Sequence, residues 1–253
     1  MIDSGSSGWR ELTCRIKRRM PRIPEGLRIY AIGDVHGRAD LLEHKFMSID
    51  AHLAFSSTRR SIELLLGDYI DRGPNSQRVI DLLIERRRSN ELICLRGNHE
   101  PYVFQFLRDP TVLESWRKFG GLETLISYGL RPSLNPDPAE QTELSKQFAK
   151  ALPDDHTAFF GRLPLSFTCG DFFFVHAGVK PGVPLTDQVE QDMLWIRDDF
   201  LLCEDNFGKI VVHGHTPVMQ PEMCSNRINI DTGAYATGTL TCLAIEDGRY
   251  TFV

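Results

Sequence analysis

The chain has 253 residues, 42% of them hydrophobic, with 29 Lys and Arg against 34 Asp and Glu and a formal net charge of -5. That length buries a proper core in one or two domains. An isoelectric point near 5.9 argues against a nucleic-acid binder held by a broad basic surface, and no run of about 18 apolar residues offers a transmembrane helix.

Residues 1–26 read as a flexible basic leader: Ser and Gly from Ser4 to Gly8, then "RIKRRMPR" from Arg15 to Arg22, closed off by Pro21 and Pro24. The stretch has neither the apolar segment of a secretory leader nor the aromatics of a membrane-surface helix. From Leu27 onward β and α patterns alternate. "LRIYAI" (Leu27 to Ile32) predicts a strand, and Leu41, Leu42, Phe46, Ile49 and Leu53 fall at helical spacing. "SIELLL" (Ser61 to Leu66) predicts a second strand. A helix follows, capped by Asn75 or Ser76 and carrying Val79, Ile80, Leu83 and Ile84. "ELICL" (Glu91 to Leu95) is the third strand. Residues 101–163 read as largely helical, broken by the proline-rich "RPSLNPDP" from Arg131 to Pro138. Strands return at "DFFFV", "KIVV", "RINI", "GTLTCLAI" and "RYTFV", the last two joined by an Asp247-Gly248 hairpin turn. Six scattered cysteines (Cys14, Cys94, Cys169, Cys203, Cys224, Cys242), with no C-x-x-C pair, suit free thiols in a reducing compartment, hence the cytoplasm.

Polar clusters follow five of these strands: "GDVHG" after Ile32, "GDYIDRG" after Leu66, "RGNHE" after Leu95, "HAG" after Val175 and "HGHTP" from His213. Strand carboxyl ends are where open α/β sheets bind ligands. Taken singly, each cluster reads as turn chemistry. Together they offer Asp34, His36, Asp68, Asn98, His176 and either His213 or His215, and five of the eight histidines fall within them. In an extended segment His213 and His215 point to one face, so spacing does not choose between them. Mixed carboxylate, imidazole and amide donors suit manganese, iron or zinc. Two ions about 3.5–4 Å apart need a bridging anion, and a carboxylate supplies one. Arg72 and Arg96 sit beside these motifs, where a guanidinium forks onto phosphate. Asp71 is positioned to keep His99 protonated as a general acid.

In order and spacing, "GDVHG", "GDYIDRG", "RGNHE", "HAG" and "GHT" resemble the signatures of the PPP family of metal-dependent phosphoprotein phosphatases, within the calcineurin-like metallophosphoesterase superfamily. The resemblance runs from about Leu27 to Thr241, and "WRKFGGLETLISYG", "MLWIRDDF" and "IDTGAYATG" look like its bacterial branch. It implies an α/β layered fold, two mixed β-sheets packed face to face and flanked by helices, spanning residues 27–253. It also implies two divalent ions, manganese first. Carried over by motif, Asp34 and His36 hold the first ion, Asp68 bridges, and Asn98, His176 and His215 hold the second. His99 is the general acid oriented by Asp71, and Arg72, Arg96 and Arg197 bind phosphate.

The expected reaction is hydrolysis of phosphoserine and phosphothreonine monoesters on a protein or peptide by a metal-bridging hydroxide, with no nucleic-acid or membrane partner. The alternatives are symmetrical hydrolysis of diadenosine polyphosphates and hydrolysis of small phosphorylated metabolites. Glu100, which makes "GNHE" where the dinucleotide hydrolases read "GNHD", favours the protein substrate. Pro217, at the second histidine position of Gly-His-x-His, disfavours diesterases. A catalytically dead scaffold is disfavoured because all six ligands and the acid pair are present.

Overall fold

The computed structural model describes residues 20–55 and 58–253. Strand β1 (Leu27–Ile32) is buried on both faces, and its alternation divides two cores. Ile29 and Ala31 pack between the sheets with Phe172, Phe174, Val212 and Ile228. Tyr30 and Ile32 pack outward against Leu42, Phe46 and Ile49 of the helix Ala39–Ala54 and Val79, Ile80 and Leu83 of the helix Ser76–Arg86. A third cluster, Phe173, Val175 and Val211 with Met193 and Phe200, covers the far side. The layers therefore run helix, sheet, sheet, helix.

In the first sheet β1 pairs in parallel with β2 (Arg60–Leu65), Leu27 opposite Arg60 through Ile32 opposite Leu65, and β2 pairs in parallel with β3 (Leu92–Cys94). Each parallel step needs a crossover, which the two helices supply. In the second sheet β4 (Ser166–Cys169) lies beside β5 (Phe172–Val175), then β6 (Ile210–His213). The edge strand β7 (Glu222–Met223) pairs with β8 (Arg227–Asn229), which lies next to β6. β9 (Cys242–Glu246) and β10 (Arg249–Phe252) return to the first sheet antiparallel, giving the order β10-β9-β1-β2-β3. Both sheets are mixed, as the sequence resemblance implies, and each has five strands.

The 101–163 region folds as short helices, the longest being Pro138–Ala151. Asn75 makes no capping bond with its side chain. The Ser76 hydroxyl accepts the Asp71 N–H at 3.1 Å, so it serves the loop below the site. Residues 1–19 of the expected leader lie outside the described residues. Its last part is docked, because Ile23 is buried and Arg22 exchanges two hydrogen bonds with Asp171. Residues 22 and 23, on the leader side of the expected boundary, are thus part of the folded unit. Five cysteines are described, all free thiols. No helix among the described residues is long and apolar enough to cross a membrane.

Candidate two-metal site

The loops after the parallel strands carry unusual backbone. Of the six non-glycine residues with positive φ among the described residues, five belong to these loops: His36 (46°), Asp68 (53°), Asp71 (72°), Arg72 (64°) and His215 (66°). Left-handed backbone disfavours such side chains, and it persists where the surroundings over-determine it. Two glycines let the loops close. A Cβ on Gly97 would stand 2.1 Å from Asp68 Oδ1, and one on Gly214 would stand 2.2 Å from Asp34 Oδ1.

These turns gather the expected donors in one buried cluster. Asp68 sits in the middle. Its Oδ2 faces His36 Nε2 at 3.4 Å, and its Oδ1 faces His176 Nε2 at 3.5 Å. Ligand atoms of His36, Asp68 and His99 lie within 4.8 Å of one another, and so do those of Asp68, His176 and His215. One carboxylate thus belongs to both groups, as a bridging ligand must.

The donor chemistry fits cations. His36 Nδ1 lies 2.9 Å from the Ile70 carbonyl and His176 Nδ1 lies 3.0 Å from the Leu66 carbonyl. A carbonyl only accepts, so each proton sits on Nδ1 and each Nε2 lone pair points inward. Asn98 Oδ1 then lies 2.9 Å from the His176 Nε2 lone pair and 2.8 Å from His215 Nδ1. Acceptors crowded this closely repel one another unless a cation stands among them. Asp34 Oδ2 accepts the His215 N–H at 3.1 Å, while its buried Oδ1 has no partner among the described residues. Burial pushes the Asp34 and Asp68 carboxyls well above the usual range, reinforced at Asp34 by Asp231 and at Asp68 by Glu100. Bound divalent ions reverse that push. Burial likewise pushes His36 and His215 well down and His176 to about 3, so all three rings are neutral donors at pH 7.

Beside the cluster, His99 Nδ1 meets Asp71 Oδ2 at 2.6 Å, and its Nε2 lies 3.7 Å from Asp68 Oδ2. Asp71 also accepts from Trp116 Nε1 at 2.8 Å and Thr124 Oγ1 at 2.5 Å. Burial pushes Asp71 up to about 7 and His99 down to about 3. Three donors converging on Asp71 favour the carboxylate, so the proton of the pair rests on His99 Nδ1.

The arrangement has counterparts. The calcineurin-like phosphoesterase family model matches residues 27–233. The chain belongs to the calcineurin-like phosphoesterases. It is 26% identical over 239 residues to the asymmetrical bis(5'-nucleosyl)-tetraphosphatase PrpE of Anoxybacillus flavithermus, covering 84% of this chain and 88% of that one. With the protein of the same name from Oceanobacillus iheyensis it shares 25% over 246 residues, covering 90% and 92%. Among solved structures, a candidate diadenosine tetraphosphatase superposes with a TM-score of 0.62 at 18% identity, covering 89% of this chain and 92% of that one.

The arginines of this phosphoesterase stand at different distances from the cluster. Arg72 lies near enough to depress His36 and His99, and its guanidinium stacks over the Tyr235 ring, 4.6 Å from the centroid. Arg197 depresses His176 and His215 and reaches Thr216 Oγ1 at 3.3 Å. Arg96 is engaged elsewhere, with its Nη1 3.0 Å from Glu190. His213 and His215 do not share a face. The positive φ at His215 turns its ring to Asn98 and His176, whereas His213 packs edge-on against Phe200 at 4.9 Å with its Nδ1 on the Gly214 carbonyl.

Sequence reasoning missed Asp231 and read Glu100 only as a family marker. Asp231, buried at the end of β8, accepts the Gly233 N–H at 2.9 Å and is pushed up to about 6, chiefly by burial. "DTG" follows the strand "RINI" as the other clusters follow theirs, so the same strand-end rule finds it. Glu100 faces the backbone. Its Oε2 accepts from Gly97 N at 2.7 Å and Asp68 N at 3.1 Å, and its Oε1 accepts from Tyr69 N at 2.8 Å. It ties two metal-site loops together and offers nothing to a substrate.

Proposed function

We propose that the chain hydrolyses dinucleoside tetraphosphates asymmetrically, to a nucleoside triphosphate and a monophosphate, in place of the phosphoprotein hydrolysis expected from sequence and of the symmetrical split that stood as its alternative. The similarity along most of the chain to bacterial proteins named for that reaction carries the reading. The residue that favoured protein substrates loses its force, because Glu100 is a backbone clamp.

The proposed ligands are Asp34 and His36 for one ion, Asn98, His176 and His215 for the other, with Asp68 shared. Manganese is the first choice for this mixture of donors. Divalent ions bound there supply a water-derived nucleophile near neutral pH and neutralise charge on the phosphoryl oxygens. Arg72 and Arg197 flank the cluster and pair with the oxygens the ions leave free. His99 keeps its Nδ1 proton and donates it to Asp71, whose negative charge opposes the burial that pushes the ring down to about 3 and favours a second proton at Nε2 for transfer to the leaving oxygen.

That dyad supports a second reading, hydrolysis of phosphoserine or phosphothreonine in the manner of the phosphoprotein phosphatases. An alkoxide leaving group needs a proton more than a nucleotide phosphate does. The two readings separate when kcat/KM for diadenosine tetraphosphate and for phosphoserine, phosphothreonine and phosphotyrosine peptides is measured with the same manganese concentration and pH. A preference for the dinucleotide of at least about tenfold, with ATP and AMP as products, is expected. A preference for a peptide reverses the order.

A further inference from the structure

Next to the metal cluster lies a cavity of about 380 Å³, lined by Asn98, Tyr102, Gln105, Gln191, Leu194 and Trp195 among others. We infer that it is the subsite for one nucleoside of the substrate, an inference that rests on the proposed dinucleotide reading. Its volume suits a small organic group. Asn98 belongs both to this wall and to the donors of the second ion, so a group held here is joined to the reacting phosphorus through a short linker.

The walls have the chemistry of a nucleobase site. Trp195 is half-buried, its ring edge-on to that of His215 at 6.0 Å and to that of Phe119 at 6.1 Å. Tyr102 leans on the same Phe119 at 5.8 Å, so the aromatic rings brace one another and hold a stacking face in place. Leu194 is buried and supplies an apolar floor. Gln105 and Gln191 are exposed, and each carboxamide presents a donor and an acceptor, the combination a purine edge requires. Glu190, on the same wall, would repel a polyphosphate, but Arg96 pairs with it at 3.0 Å. Base stacking on an aromatic ring, an apolar floor and paired amides describe a base. A bare phosphate uses none of them.

The test is calorimetry on the manganese-loaded protein with AMP and with ribose 5-phosphate, which share the phosphate and differ in the base. AMP binds the wild type about tenfold more tightly, within the range one base–aromatic stack contributes. That gap closes in Trp195→Ala and survives in Trp195→Phe. Gln105→Leu, at an exposed helix position, narrows the gap severalfold and serves if Trp195→Ala does not fold. Equal affinities in the wild type, or a gap that persists in Trp195→Ala, overturns the subsite. The outcome is separable from the proposed reaction. A protein that shows the gap but leaves diadenosine tetraphosphate intact keeps the subsite and loses the reaction, whereas turnover without the gap does the reverse.

Discussion

Replacing Glu100 by Gln tests how the site is built. The buried carboxylate accepts three backbone N–H groups, two on Oε2 and one on Oε1. A carboxamide has one oxygen, so its NH₂ must point at a donor whichever way it is turned. Turned best, it keeps Gly97 and Asp68 on the oxygen and orphans the Tyr69 N–H. One unsatisfied buried N–H costs about 1–3 kcal/mol. Burial has pushed Glu100 up to about 7, so removing its charge also relieves a desolvation penalty, and the net loss falls in the lower half of that range. The orphaned group lies one residue from Asp68, so metal affinity falls as well. Urea unfolding of the metal-free protein should show a lower midpoint with an unchanged slope, and titration with manganese should show weaker binding. The ratio of kcat/KM between dinucleotide and phosphopeptide should not move. An altered ratio at unchanged stability would mean that Glu100 reads the substrate, and would refute the clamp.

Asp68→Asn removes the charge shared by both ligand groups, so metal analysis should show at least one ion per chain lost; two retained ions with normal turnover would remove Asp68 from the bridge. His99→Asn should leave metal content unchanged and slow phosphoserine hydrolysis by about 10²–10⁴-fold. Its effect on diadenosine tetraphosphate should be smaller, because a nucleotide phosphate needs less protonation; equal losses would make His99 a positioning group. Metal affinity should rise with pH from about 4 through 6 and beyond, because Asp231, at about 6, and the raised Asp34 and Asp68 must shed protons. Over the same rise the metal-free fold should lose stability, since its raised carboxyls still hold protons that the unfolded chain has already released; urea midpoints flat across that window would contradict the shifts.

Long apolar runs were the legible part of the sequence. β1 runs from Leu27 to Ile32 as its pattern predicts, because both of its faces are buried and its one charged residue, Arg28, is paired with Glu246. β4 and β7 were not legible. They are edge strands whose residues are half-buried or exposed, and they exist through pairing with β5 and β8, which local pattern does not encode. Asp34, His36, Asp68, Asn98, His176 and His215 do converge, since each ends or follows a strand of one sheet or the other. The choice between His213 and His215 depends on a single backbone dihedral, and spacing arguments assume an extended chain there. The partners that Glu100 and Arg96 make in the fold were not legible for another reason. A motif reports which residue type stands at a position, not whether its side chain faces substrate, backbone or another charge.

The central claim is a pair of ions sharing Asp68, and anomalous scattering from crystals grown with manganese tests it most directly. The account predicts two peaks about 3.5–4 Å apart, one beside Asp34 and His36, the other beside Asn98, His176 and His215, with the Asp68 carboxylate between them. A single peak, or two peaks of which only one touches Asp68, contradicts it.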